Sequence, residues 1–268
     1  MTTSLIEDHP IVSEAEWLTA RTSLLTKEKE LTRARDAVSE ARRTLPWLRV
    51  DKEYVFDTVA GKKTLAELFE GRSQLIVYHF MWRRELGEGC VGCSFLCDHI
   101  DGANQHLSQH DVTLVAVSRA PLADLQGFKR RMGWRFPWVS SYESDFNFDY
   151  HVSFRPEELA TGEVYYNYRP TRASIEELSG LSVFYKNEKG EIFHTYSSYG
   201  RGHEEVLGAY MYLDITPKGR NENGPHFNLG DWVRHHDKYD AGGYVDATGG
   251  YIEPAEARPC CSSENHGS

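Results

Sequence analysis

The stretch "SQLIVYHFMWRRELGEGCVGCSFLCDH", residues 73–99, carries the strongest structural and chemical signals of the chain. It opens with an apolar run, which is typical of a strand buried on both faces of a parallel sheet. Three of the five cysteines, Cys90, Cys93 and Cys97, follow within eight residues. From Cys93 to about His110 the pattern is helical. The sequence therefore predicts a buried strand, a glycine-containing loop and a helix that begins at the cysteines.

Further apolar runs flank this stretch and alternate with helical patterns. The predicted strands cover 47–56, 73–80, 112–118 and 136–141, the predicted helices 64–69, 121–133 and 204–214, and a predicted β-hairpin covers 181–196 with its turn at 187–190. A βαβ unit followed by an antiparallel hairpin and a covering helix predicts an α/β, thioredoxin-like fold with a central mixed sheet flanked by helices. Strand 73–80 should then run parallel to 112–118, with Cys90 at its carboxyl end.

The two ends of the chain differ in composition from the middle. Residues 13–45 predict a long charged helix, capped by Ser13 and Glu16 and stopped by Pro46. Its sparse apolar stripe favours packing on its own domain, with pairing of two chains as the alternative; the stripe consists of Leu18, Leu24, Leu25, Leu31, Val38 and Leu45. The last residues are rich in Gly, Ser and Glu, which indicates a flexible tail. We therefore predict a helical arm at 1–46, a thioredoxin-like domain at 47–236 and a tail at 237–268.

Composition narrows the possible partners. The 268 residues include 40 acidic and 30 basic side chains, a formal charge of −10, which argues against nucleic acid. No run approaches the roughly 18 apolar residues of a membrane span. The opening "MTTSLIEDHP" lacks the layout of a signal peptide, so we expect a cytoplasmic protein. Thiols stay reduced there, and clustered cysteines then indicate catalysis or metal binding.

The spacing Cys90-x-x-Cys93 places two sulfur atoms one helical turn apart, where a disulfide can form and break with little backbone movement. Backbone N–H groups at a helix N-terminus stabilise a thiolate on the first cysteine. We therefore expect Cys90 to attack and Cys93 to resolve. Gly87 and Gly89 would let a substrate approach closely.

The same cysteines allow a second interpretation. Cys90, Cys93 and Cys97 could bind copper or zinc, although a single extra helical cysteine such as Cys97 is more simply a small buried apolar residue. Cys260 and Cys261 lie in the predicted tail, where they are either incidental or available to resolve a disulfide with Cys90.

The histidines form no compact ligand set, so no cofactor or metal is predicted from them. His79 is predicted to be a residue near the core or a base near the dithiol, and His99 lies two residues after Cys97. His235 and His236 are adjacent and should face different ways. The motif "YYNY", residues 165–168, is either a binding surface or exposed tyrosine on an edge strand.

Several stretches resemble the "domain of unknown function 899" family over roughly residues 10–240. They are "KEYVF", "GRSQLIVYHFMW", "GCVGCSF", "DVTLVAVSRAPLADLQGFKRRMGWRFPWVSS", "GEVYYNY", "GLSVFYKNEKGEIFHTYSSYGRG" and "YLDITPKGR". The resemblance implies a thioredoxin-like fold and a dithiol–disulfide oxidoreductase. Its partners would be a small-molecule or protein disulfide and a thiol electron donor.

Two departures from better-known relatives qualify this expectation. Thioredoxins carry a cis-proline before the hairpin, where this chain has Leu181 or Ser182. Peroxiredoxins carry a Pro-x-x-x-Thr-x-x-Cys pattern, and "RRELGEGC" has neither the proline nor the threonine. Polarisation of a peroxide would fall to Arg83, Arg84 or Arg119. A thiol peroxidase therefore ranks below a disulfide oxidoreductase.

Overall fold

The computed structural model describes residues 9–226 and 228–254. The helices are α1 (Glu14–Arg43), α2 (Val91–Cys97), α3 (Ile100–Leu107), α4 (Leu122–Arg131), α5 (Phe146–Asp149), α6 (Pro156–Leu159) and α7 (Gly208–Leu213). The strands are β1 (Leu48–Arg49), β2 (Val55–Thr58), β3 (Gly61–Thr64), β4 (Gln74–His79), β5 (Trp82–Arg83), β6 (Glu88–Gly89), β7 (Val112–Ser118), β8 (Trp138–Ser140), β9 (Glu163–Tyr166), β10 (Arg169–Arg172), β11 (Gly180–Lys186), β12 (Ile192–Tyr199), β13 (Tyr244–Val245) and β14 (Tyr251–Ile252).

An eight-stranded mixed sheet organises the molecule, with the order β1-β12-β11-β4-β7-β8-β2-β3. Strand β4 runs parallel to β7 and antiparallel to β11. Strand β11 pairs with β12 as the predicted antiparallel hairpin. The unit β4–α2–α3–β7–α4, followed later by the β11–β12 hairpin, is a thioredoxin-like fold. The predicted fold class is therefore confirmed, as is the parallel pairing of the two buried strands.

Strand β4 owes its central place to side chains that are buried on both of its faces. Leu75 and Val77 belong to an apolar cluster on one side of the sheet, together with Phe146 and Phe184. Tyr78 belongs to a larger cluster on the other side, which includes all three described cysteines. Because both faces exclude water, the strand reads as a continuous apolar run rather than an alternating one.

Helix α1 precedes the sheet in the chain and is exposed along most of its length. The predicted capping box is present, with Ser13 and Glu16 as partners. None of the thirty side chains of the helix is buried. The contacts with the domain that hold its end include an ion pair from Arg42 to Glu205 at 3.2 Å. Our preferred interpretation, that the stripe packs on its own domain, is therefore wrong.

Residues 237–254 pack on the domain. Val245 and Tyr251 are 2% and 5% exposed and lie in the cluster that contains the cysteines. The prediction that residues from about 240 onward stay outside the core is therefore wrong as far as residue 254. Cys260 and Cys261 lie outside the described residues, and the three domain boundaries stay a prediction.

Smaller differences concern local geometry. The predicted strand 47–56 is two short strands, β1 and β2. The helix predicted from Cys93 to His110 is interrupted at Asp98 and His99 between α2 and α3. Tyr165 and Tyr168 are exposed at the small β9–β10 hairpin, whereas Tyr166 is buried.

No helix in the described ranges combines the length and apolarity needed to cross a membrane.

Candidate active site

Cys90 is placed beyond the carboxyl end of β4 by a short two-stranded ladder. Strands β5 and β6 pair in antiparallel fashion and return the chain to the sheet edge. There the Cys90 N–H donates to the Met81 carbonyl at 3.1 Å. The Cys90 carbonyl accepts the Ser94 N–H at 2.9 Å and so closes the first turn of α2. Cys90 therefore occupies the N-cap position of this helix, as the sequence predicted.

The surroundings of Cys90 favour its thiolate. A hydrogen bond from the Cys93 thiol is the largest influence, and it outweighs burial, which acts in the opposite direction. The backbone N–H groups of Cys93 and Gly92 and the charge of Arg83 add to it. Together they lower the pKa of Cys90 to about 7. A substantial fraction of Cys90 is thus ionised at neutral pH, and the thiolate is the form that reacts in thiol–disulfide exchange.

Cys93 and Cys97 have the opposite character. Burial raises the pKa of the Cys93 thiol well above its ordinary value, and the adjacent Cys90 sulfur raises it further. The Tyr78 hydroxyl and the Met81 N–H, which lies 3.5 Å from the sulfur, act against these effects. Burial likewise raises the pKa of Cys97, which is fully buried. Of the three described cysteines, Cys90 is therefore the one whose pKa is lowered.

We expect the alkylation rate of Cys90 by iodoacetamide to rise with pH around a midpoint near 7. The sign follows from the lowered pKa, since the reactive thiolate forms as pH rises through that value. Cys93→Ala removes the strongest donor and should move the midpoint towards the roughly 8.5 of a free thiol. Cys97→Ala is the matched control and should leave it in place. Peptide-resolved mass spectrometry measures each site, and equal midpoints in both variants would contradict the assignment.

A hairpin from the C-terminal part of the chain covers Cys90. Strands β13 and β14 pair in antiparallel fashion and present the turn between them to the dithiol. The Gly249 carbonyl accepts the Val91 N–H at 2.9 Å. A Cβ atom at Gly249 would lie 2.9 Å from the Cys90 sulfur, and φ at this glycine is +86°. Only glycine combines this backbone conformation with so close an approach to the thiol.

The hairpin is held over the site by polar contacts on both of its sides. Asp246 accepts the Thr248 and Gly250 N–H groups and so fixes the turn. The Arg83 guanidinium bonds the Thr248 carbonyl and also the Glu85 carboxylate. Arg83 therefore links the β13–β14 hairpin to the segment that carries the cysteines.

A cavity of about 530 Å³ lies beside the dithiol, and both Cys90 and Cys93 line it. Ile175, Leu178 and Ser179 form one side, in the segment that precedes β11. Neither Leu181 nor Ser182, which the sequence analysis placed before the hairpin, is among the residues that line the cavity, although Leu181 packs against the cluster that contains the cysteines. The Ser182 hydroxyl instead bonds Ser197 at 2.8 Å and His79 at 2.9 Å in the sheet interior.

The other residues singled out in the sequence serve packing or surface contacts. A Cβ at Gly89 would lie 2.6 Å from the Phe80 ring, so this glycine admits an aromatic side chain rather than a substrate. His79 stacks on Phe146, away from the cysteines, and burial lowers its pKa to about 3. It is a core residue and not a base for the dithiol.

The other histidines and arginines that the sequence analysis named each have a local partner. His99 accepts the Ala209 N–H at 3.0 Å. His235 is buried and bonds the Gly89 carbonyl, while His236 faces outward and pairs with Asp98. Arg84 reaches the backbone carbonyl of Arg119, whose own guanidinium lies 4.2 Å from the centre of the Phe148 ring. Among the candidate arginines, Arg83 is the one that acts on Cys90.

The alternative metal site gains no support from the geometry. Within residues 9–226 and 228–254, no group of three or more His, Cys, Asp or Glu side chains is arranged to hold a metal ion. Cys97 lies in the apolar cluster with Phe95 and Leu96, as a small buried residue does.

A family model matches residues 6–239 of the chain, which is most of its length. The chain belongs to the DUF899 family. That family is described as "Bacterial protein of unknown function". The match ends before the β13–β14 hairpin, so the segment that covers Cys90 lies beyond the part the DUF899 model describes. No curated protein matches the sequence.

Several solved structures are similar in outline. Xanthomonas campestris peroxiredoxin Q has 11% identity and a TM-score of 0.41, with 58% of this chain and 85% of that chain covered. Peroxidoxin BcpB from Mycobacterium tuberculosis has 9% identity and a TM-score of 0.41, with 63% of this chain and 97% of that chain covered. A putative thiol:disulfide interchange protein DsbE from Chlorobium tepidum has 10% identity and a TM-score of 0.39, with 63% of this chain and 95% of that chain covered. The fold assignment rests on the strand order itself.

Sequence reasoning missed the hairpin over Cys90 and the contact between Tyr78 and Cys93. A signal for the hairpin exists in "GGYVDATGGYIE", where two short runs with β-forming residues flank a glycine-containing turn. Nothing local links this segment to Cys90, which lies more than 150 positions earlier in the chain.

Proposed function

We propose that the protein is a thiol–disulfide oxidoreductase that uses Cys90 and Cys93. The observation that carries the proposal is the opposite effect of the site on two cysteines one helical turn apart. The site lowers the pKa of Cys90 to about 7 and raises that of Cys93. A structural pair of buried thiols has no need of this difference, whereas an attacking and a resolving thiol require it.

The reaction has two steps. The Cys90 thiolate attacks one sulfur of a disulfide R–S–S–R, forms a mixed disulfide and releases R–S⁻. Cys93 then loses its proton and attacks the Cys90 sulfur, which forms the Cys90–Cys93 disulfide and releases the second R–S⁻. A thiol electron donor reduces this disulfide and closes the cycle. We infer a reducing, cytoplasmic setting for this chemistry.

Two finer points stay predictions. A thiol peroxidase would use the same Cys90 thiolate, with Arg83 as the cation that acts on it, but no contact among the described residues favours a peroxide over a disulfide. Pairing of two chains through α1 would cover exposed apolar side chains such as Trp17, Leu18 and Leu31.

Mild oxidation of the protein with excess bis(2-hydroxyethyl) disulfide tests the proposal. Peptide mapping should show a Cys90–Cys93 disulfide, because the two cysteines lie one helical turn apart at the start of α2. Cys97→Ser should form the same bond and is the control. Stable mixed disulfides on both Cys90 and Cys93, without the internal bond, would overturn the proposal.

A further inference from the structure

The cavity beside the dithiol has the size of a small-molecule site. Its volume of about 530 Å³ falls within the roughly 300–1,000 Å³ of such sites. Apolar side chains form much of its lining, among them Tyr78, Met81 and Leu229. The cavity reaches both sulfur-bearing residues, so a bound molecule would lie against the reactive atom.

The β13–β14 hairpin, which forms part of the cavity wall, obstructs a protein substrate. Cys90 is 6% exposed, and the β13–β14 turn lies directly over its sulfur. The Val91 N–H, at the start of the helix, is already bonded to the Gly249 carbonyl. An extended chain from another protein would have to displace this hairpin, whereas a small disulfide can enter beside it.

The charges that face the cavity are unequal. Among the described residues that line it, the carboxylates of Glu204, Glu222 and Asp246 face one guanidinium, that of Arg201. Glu204 is compensated by ion pairs with Arg201 and Arg220.

Glu222 and Asp246 have hydrogen-bond partners that are neutral. Glu222 accepts the Tyr210 hydroxyl, and Asp246 accepts N–H and hydroxyl groups of the hairpin turn. Within the described residues no cation is bonded to either carboxylate, although Arg83, itself paired with Glu85, offsets part of the charge of Asp246. The two carboxylates therefore still present net negative charge to a ligand.

We propose that the substrate of this site, given the function proposed above, is a small disulfide whose ends are neutral or cationic. The reaction is the two-step exchange already written: Cys90 forms the mixed disulfide, and Cys93 displaces the second thiolate. Anionic disulfides are disfavoured by Glu222 and Asp246, and disulfides within folded proteins by the hairpin.

Three disulfides of similar length test the charge preference. They are cystamine with two positive ends, bis(2-hydroxyethyl) disulfide with neutral ends, and 3,3′-dithiodipropionate with two negative ends. The reduced protein reacts with each in single-turnover experiments at low salt, and every rate is divided by that of free dithiothreitol to remove intrinsic reactivity. We expect cystamine to exceed 3,3′-dithiodipropionate by about tenfold or more, because close charges interact strongly in a partly enclosed site.

Variants and a protein substrate complete the test. Glu222→Gln keeps an acceptor for Tyr210 and should reduce the ratio of the cystamine rate to the 3,3′-dithiodipropionate rate severalfold. Glu188→Gln, in an exposed turn, should not change this ratio. With the protein present, insulin disulfides should be reduced no faster than by dithiothreitol alone. Equal normalised rates for all three small disulfides, an unchanged ratio in Glu222→Gln, or rapid insulin reduction would overturn this proposal while leaving the oxidoreductase intact. If none of the four disulfides produced the Cys90–Cys93 bond, the oxidoreductase proposal itself would be refuted.

Discussion

Replacement of Cys90 by serine should reduce disulfide turnover by at least about a thousandfold, the scale on which enzymes lose activity with their nucleophile. A serine hydroxyl does not ionise near neutral pH, so the thiolate favoured by Cys93, Gly92 and Arg83 would be lost. Turnover is measured with bis(2-hydroxyethyl) disulfide and dithiothreitol as the electron donor. Cys97→Ser should retain most of the activity, since Cys97 lies in the core and touches no reacting atom.

The companion variant Cys93→Ser should fail at a different step. Cys90 can still attack, but no resolving thiol follows, so a mixed disulfide with the substrate should accumulate. Intact-protein mass spectrometry measures this adduct, which a reductant should release. The mixed disulfide would also identify a natural substrate captured from a cell extract. If Cys93→Ser turned over normally while Cys90→Ser did not, a mechanism with one cysteine, as a peroxidase can use, would replace the present one.

Replacement of Gly249 by valine should expose Cys90 and raise its alkylation rate by about tenfold or more. A β-branched residue is strained at φ +86°, at a cost on the order of 1–3 kcal/mol. Its Cβ would also lie 2.9 Å from the Cys90 sulfur. The turn can relieve both by lifting away, which breaks the bond from the Val91 N–H to the Gly249 carbonyl. Iodoacetamide labelling near pH 7 measures the effect.

Gly190→Val supplies the matched control for this experiment. Gly190 has nearly the same backbone conformation, φ +81°, but nothing lies within 4 Å of its Cβ position. Both variants should therefore lower the melting temperature through backbone strain, and only Gly249→Val should change Cys90 labelling. Val245→Ala, which removes a buried anchor of the hairpin, should raise the labelling to a smaller extent. Unchanged or slower labelling in Gly249→Val would show that the hairpin does not control access to the thiol.

The fold and the placement of Cys90 and Cys93 at the start of a helix could be predicted because their signals are local. The apolar run at 73–80 predicts a central strand from its own composition, and the hairpin at 181–196 from its alternation and turn residues. The Cys-x-x-Cys spacing on a helix places Cys90 beside backbone N–H groups whatever the rest of the chain does. The same spacing brings the Cys93 thiol and the N–H groups that lower the pKa of Cys90, whereas the raised pKa of Cys93 comes first from burial, which the tertiary structure decides.

Contacts between distant parts of the chain decided the features that the sequence predicted wrongly. Composition suggested a flexible tail after residue 237, yet Val245 and Tyr251 are buried, because the helix that carries the cysteines offers them an apolar surface. Gly89 looked like an approach for a substrate, but its missing side chain accommodates the Phe80 ring. The apolar stripe of α1 indicated packing, although the described part of the chain buries none of its side chains.

The sequence by itself therefore determined the thioredoxin-like topology and the two cysteines, because periodicity and motif spacing act over a few residues. Only the tertiary structure decided what surrounds those cysteines: the cover from Gly249, the contact with Tyr78 and the acidic cavity. These features join residues as distant as Cys90 and Asp246, and no local pattern records which surfaces meet when an apolar core closes.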